Sequence, residues 1–372
     1  MMSNNITTRG MIYAGWTACV LCLGTALHHV LESVPWDGHE CFGTPLAFWQ
    51  SPLYGAVFCA GGWLASVGLG ALFWTLAAPV TGAEWSRPLV PVWRKLVIVS
   101  YGGGWILVLL SIPALPVLFA WTGAETHVRD FWHDTRNWCG RGFAAAALVL
   151  SLEAMMVRVM AGGKGGFVRV IGAVGLILFL PAFALMGVDW WLLPQPSGTR
   201  FSMTLLVFMA NASVSALAAV LCFPVAKHAR LRRNLMWLLF AALAFKVYFS
   251  FSQYLVVTCG GLPSEVEFYA LRGQEMSLWE GGGGDCVCTA ILLAIILLRN
   301  RRNSLFWSRV LAVAVLAVSA GNFYWHVAPV MPGKGFTPAG RGLFVISLFV
   351  SLLMGGLFAL GGRRRETDAE KK

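Results

Sequence analysis

Apolar stretches long enough to cross a bilayer recur along the whole chain and leave little of it for anything else. About twenty consecutive apolar residues span roughly 30 Å of hydrocarbon as a helix. Windows of that kind fall near residues 11–29, 52–79, 93–121, 142–160 and 167–187. Five more lie near 202–223, 235–259, 285–298, 308–326 and 341–361, the eighth being short and flanked by glycines. A backbone in lipid must satisfy its own hydrogen bonds, so these segments are read as helices. The expectation is an all-α polytopic membrane protein with about ten transmembrane helices. Residues 1–10 are read as a cytoplasmic N-terminus, 11–361 as one integral-membrane domain and 362–372 as a cytoplasmic tail.

Composition excludes the soluble classes. Mean hydropathy is +0.69, and 12% of the residues are charged, about half the share usual in soluble domains. The 17 Trp and 24 Phe suit aromatic belts at the two membrane interfaces. A net charge of +11 would suit nucleic acid if it were clustered, but the basic residues sit in short loops between apolar segments. No nucleic-acid partner is expected, and lipid is the surrounding medium. The first apolar segment shows no small-residue cleavage site, so a signal peptide is not expected.

Loop charges alternate in step with a ten-span count. Arg9 precedes the first span; Arg87, Arg94 and Lys95 follow the second, and Arg158, Lys164 and Arg169 the fourth. Lys227, Arg230, Arg232 and Arg233 follow the sixth, Arg299, Arg301 and Arg302 the eighth, and Arg363 to Arg365 the tenth. The intervening loops are acidic or mixed, with Glu32, Asp37 and Glu40, then Glu125, Asp130 and Asp134 against three arginines. The last of them carries Glu265, Glu267, Glu275, Glu280 and Asp285 against Arg272. The positive-inside rule then places both termini in the cytoplasm.

That topology puts His28, His29, His39, His127, His133 and His326 at the outer ends of spans, with Cys41, Cys139, Cys259, Cys286 and Cys288. An oxidising outer compartment permits disulfides, but their pairing is not encoded in the spacing. There is no C-x-x-C-H attachment motif, and Cys286-Val287-Cys288 lacks both the spacing and the histidine. His28 or His29 with His326 would at most hold a haem near the surface; interfacial hydrogen bonding accounts for them more simply. No covalently bound cofactor and no metal site are expected.

Polar residues inside the spans are the candidate functional groups, because a helix-centre cation exposed to lipid costs roughly 2.5–3.5 kcal/mol. Lys246, Ser250 and Gln253 stand at i, i+4 and i+7 and share one face of the seventh span. Glu153 is the one carboxylate well inside a span, so it and Lys246 are candidates for a proton path or for a structural pairing. Asn211 and Ser215 in the sixth span, and Asn322 and His326 in the ninth, repeat the i, i+4 pattern, which interhelical hydrogen bonding also explains. Asp189 closes the fifth span in Asp189-Trp190-Trp191-Leu192-Leu193-Pro194-Gln195-Pro196, an interfacial anchor followed by a rigid turn.

Asp189-Trp190 with its proline-containing loop and the Ser202-led sixth span resemble one family's pattern, as does Phe251-Ser252-Gln253-Tyr254-Leu255 with Leu262-Pro263-Ser264-Glu265, Tyr269 and Arg272. Phe48-Trp49-Gln50-Ser51-Pro52-Leu53-Tyr54-Gly55 and Thr81-Gly82-x-x-Trp85 with Arg94 fit as well. Together, over residues 48–361, the chain resembles the haem-free F-type membrane subunit of alternative complex III, the bacterial quinol:cytochrome c oxidoreductase. That subunit belongs with the NrfD-like polysulfide reductase membrane anchors. Here Leu192, Leu193 and Pro194 replace the centre of the family turn, and Lys246 stands where an aromatic residue is usual.

The resemblance implies two four-helix bundles, roughly 52–187 and 202–326, with two peripheral helices, in the bacterial cytoplasmic membrane. It implies a complex with a sister NrfD-like subunit and with iron–sulfur and multi-haem cytochrome c subunits. Haem and iron–sulfur centres would reside only in those partners, with quinol or quinone nearby, and proton paths have been proposed through the bundles. Two other readings stand beside it. One is a secondary transporter with Glu153, Lys246 and Asn211 around a midplane site, although no internal repeat of the usual transporter kind is evident. The other is a structural anchor for partner subunits.

Overall fold

Helix α1 (Pro52–Val80) is the most enclosed of the long apolar helices among the described residues. In its most apolar window 89% of residues are buried, whereas the corresponding share for the later helix α8 (Ala229–Gly260) is 28%. The first is therefore interior to the bundle and the second peripheral to it. The computed structural model describes residues 40–41, 44–45, 52–119, 135–162, 165–192, 203–223, 228–261, 266, 268–269, 283–297 and 304–327.

Among these, a two-residue antiparallel ladder pairs Glu40–Cys41 with Thr44–Pro45, and the rest is helix and turn. The remaining helices are α2 (Val90–Leu96), α3 (Gly102–Leu110), α4 (Leu115–Leu118), α5 (Thr135–Gly162), α6 (Gly165–Gly187), α7 (Thr204–Cys222), α9 (Gly283–Leu297) and α10 (Leu305–Val327). A π-helical turn, Val97–Tyr101, joins α2 to α3. A second, Val188–Leu192, extends α6.

Among the described residues, seven helical segments are long and apolar enough to cross a membrane. They match the second to seventh and the ninth of the expected spans. The eighth corresponds to α9, which has 15 residues. The first and tenth, 11–29 and 341–361, lie outside the described residues. The chain is an integral membrane protein of the multi-pass kind.

The packing follows from small residues on α1. A Cβ on Gly61 would lie 2.8 Å from Leu107 Cβ and 2.9 Å from the Gly104 carbonyl, and Gly104 in turn faces the backbone of Gly61 and Ala65. This reciprocal absence of side chains lets α1 and α3 touch backbone to backbone, which is how helices gain van der Waals contact in lipid. Gly62 receives the ring of Phe323 from α10, and Gly70 faces the Ala212 carbonyl on α7. Gly102 has open space instead, and Gly103 meets only Leu64 at ordinary contact distance. Gly61 and Gly62 are thus both packing positions, whereas of the run Gly102-Gly103-Gly104 it is Gly104 that lies against α1.

α1 ends in a Schellman motif. The Ala83 amide donates to the Ala78 carbonyl (3.0 Å) and the Gly82 amide to the Pro79 carbonyl (3.1 Å), with Gly82 at φ +67°. Gly261, at φ +62°, ends α8 with the simpler cap, its amide donating to Val257 at 3.1 Å.

Candidate functional site

The end of α6 carries three consecutive residues, Asp189, Trp190 and Trp191, that are all buried. On a regular helix, neighbours point about 100° apart, so burying three in a row requires protein on several sides. The π-helical turn at Val188–Leu192 sits among α3, α5, α7 and α10, and each residue meets a different neighbour. Asp189 accepts from Arg141 on α5, with Nη2 at 2.8 Å and Nε at 3.1 Å from Oδ1. Its backbone carbonyl accepts from Trp138 Nε1 at 3.2 Å. Trp190 meets Trp105 of α3 edge-on at 5.6 Å. Trp191 packs on Phe208 of α7 and stacks against Phe323 and His326 of α10, with 4.0 Å between the indole and imidazole centroids.

The carboxylate at Asp189 is thus neutralised in place. Both partners of the pair are almost fully enclosed, at 5% and 3% side-chain exposure. A buried ion pair of this kind serves position and register more than net stability. His326 is held by its own helix: Nδ1 lies 2.9 Å from the Asn322 carbonyl and must donate, because a carbonyl only accepts.

A polar seam runs between α1, α7 and α10. Trp63 Nε1 donates to Ser319 Oγ (3.1 Å), Ser319 and Ser215 share a short hydroxyl contact, and Ser215 Oγ donates to the Asn211 carbonyl (2.7 Å). Asn211 Nδ2 closes the circuit on the Ser319 carbonyl at 3.2 Å. Asn211 and Ser215 therefore stitch helices together, as a polar i, i+4 pair in lipid commonly does. The Oδ1 atoms of Asn211 and Asn322 are buried without a hydrogen-bond partner among the described residues.

Glu153, on α5, is 1% exposed, and neither carboxylate oxygen has a hydrogen-bond partner among the described residues. The cation whose field reaches it is Arg94 on α2. Lys246 is also buried, on α8. The structure does not bring the two together, since α5 packs mainly against α6 and α8 mainly against α7 and α9.

The stripe expected on α8 is present. Lys246 and Gln253 are buried, and Ser250 Oγ and both amide atoms of Gln253 are enclosed without hydrogen bonds among the described residues. The opposite face is exposed and aromatic, with Phe245 61%, Tyr248 60%, Phe251 55% and Tyr254 50% accessible. Of the resemblance motif, Gln253 therefore turns inward, Ser252 is half-buried and Tyr254 lies at the surface, edge-on to Tyr269 at 5.5 Å. Pro263, Glu265 and Arg272 lie outside the described residues, as do His28 and His29. Cys139 and Cys259 are not in disulfides.

Arg141, Ser319 and Trp63 complete these sites and carry no pattern of their own in the sequence. Arg141 reads as one of three outer-loop arginines, although it lies inside α5. No protein-family model matches the chain, and no curated protein matches it.

Proposed function

We propose that this chain is the haem-free membrane subunit of a quinol-linked respiratory oxidoreductase of the alternative complex III type. The observation that carries the reading is the Asp189-Trp190 turn. The two residues most specific to the resemblance are those that the fold buries at the junction of α3, α5, α7 and α10. An interfacial anchor would leave them at the surface. The second specific motif behaves alike, since Gln253 of Phe251-Ser252-Gln253-Tyr254 faces the interior.

In this role the chain carries no electrons. Quinol is oxidised against the sister NrfD-like subunit, and the electrons pass through iron–sulfur and haem c centres of partner subunits to an acceptor cytochrome. The chain's contribution is to hold that assembly in the bacterial cytoplasmic membrane and to offer Glu153 as an intramembrane proton site. A carboxylate enclosed in a membrane bundle, with no hydrogen-bond partner among the described residues, suits a group that exchanges a proton.

The test is composition. An affinity-tagged copy of the full chain, expressed in its native host and extracted in a mild detergent, should bring down iron–sulfur and multi-haem c polypeptides in fixed ratio. Recovery as a lone protein that moves a solute into vesicles would replace this reading with a transporter.

A further inference from the structure

A cavity of about 530 Å³ opens at the basic end of the bundle, between the turn that follows α1 and the corner where α5 gives way to α6. Arg87 and Arg169, both exposed, stand at its mouth, and among the described residues that line it none is acidic. Val90 of α2, Val157 and Met160 of α5 and Val168 of α6 add apolar side chains to its wall. The mouth is shaped by the Schellman turn: a Cβ on Gly82 would lie 3.6 Å from Arg169 Nη2, so this guanidinium lies over the bare backbone of the left-handed glycine. The cavity therefore brings two arginines, beside the turn that ends α1, together with apolar side chains from three helices.

From this shape we infer that the cavity binds an anionic phospholipid, its phosphate between Arg87 and Arg169 and an acyl chain along Val90, Val157 and Val168. Guanidinium groups offer forked donors that match phosphate oxygens. Basic pockets between transmembrane helices are suited to such headgroups. Inorganic phosphate would use the same arginines but none of the apolar wall, so the lipid is the better fit. The site is independent of which complex the chain joins, because it uses none of the residues of the Asp189 turn.

Native mass spectrometry of the purified full chain, offered equal phosphatidylglycerol and phosphatidylcholine, tests the site. The wild type should retain phosphatidylglycerol in preference by on the order of tenfold, and Arg87→Ala/Arg169→Ala should bring that ratio to about unity. Arg158→Ala, exposed at the same end but outside the cavity, should keep the preference. The variant Val168→Trp, which adds bulk to the apolar wall and leaves both arginines, should lower retention of the lipid, and excess inorganic phosphate should not displace it. Equal retention of the two lipids by the wild type would overturn the proposal. So would equal loss in Arg158→Ala, full retention in Val168→Trp, or displacement by inorganic phosphate.

Discussion

Arg141 Nη2 lies 2.8 Å from Asp189 Oδ1, joining α5 to the end of α6 across 48 positions of sequence inside an apolar bundle. The pair fixes the angle at which the tryptophans of the turn enter the interior. Removing one partner leaves the other charge enclosed, which costs about 3–5 kcal/mol, whereas replacing both by apolar residues of similar volume is often neutral. Asp189→Ala should therefore lower the thermal stability of the detergent-solubilised protein sharply, and Asp189→Leu/Arg141→Met should recover most of it. Additive losses in the double variant would show that the pair is not the coupling between these helices.

The seam between α1, α7 and α10 makes a second prediction. Ser319→Ala removes the acceptor of Trp63 Nε1 and the partner of Ser215. An indole N–H left buried without a partner costs about 1–3 kcal/mol. Trp63→Phe in the same background should restore part of that loss, as read by thermal unfolding of each variant. A Ser319→Ala protein as stable as wild type would mean that water replaces the serine.

Close packing of α1 on α3 gives a third. Gly104→Val puts methyl groups against the Ala65 and Gly61 backbone, where nothing can yield cheaply. Overpacking of this kind costs about 1–3 kcal/mol. Gly102→Ala, earlier on the same helix and facing open space, should be silent in the same assay. Equal effects of the two would deny that α1 and α3 meet where their glycines face each other.

What the sequence made legible, and what it hid, follow from one physical asymmetry. Apolar windows show where a helix faces lipid or a core, so α1, α5, α6, α7, α8 and α10 are legible to within about two turns. The same windows treat any charge as a boundary, so they open the fourth span at residue 142, just past Arg141, whereas α5 starts at Thr135. A guanidinium paired with Asp189 is tolerated inside, and its partner is 48 positions away, beyond the reach of any local pattern. Asn211 and Ser215 were visible as an i, i+4 pair, but the Ser319 and Trp63 they depend on are single residues on other helices. The π-helical turn that lets three adjacent residues at 189–191 be buried together also has no signature in hydropathy.

Glu153 supplies the prediction that bears on energy conservation. Glu153→Gln keeps the shape and removes the ionisable proton, so the variant should assemble normally yet translocate fewer protons per electron in reconstituted vesicles. Lys246→Met asks the same of the buried lysine, on a helix packed elsewhere in the bundle. Unchanged stoichiometry in both variants would leave these residues a structural role only.

The central claim is that this chain works as a haem-free part of a larger redox assembly. Its most direct test is a quinol-reduced minus oxidised spectrum of the complex purified through a tag on this chain. The account predicts a haem c α-band that appears on adding quinol and belongs to co-purified partner polypeptides. An eluate containing only this chain, with no haem band and no quinol-dependent reduction of cytochrome c, would contradict it.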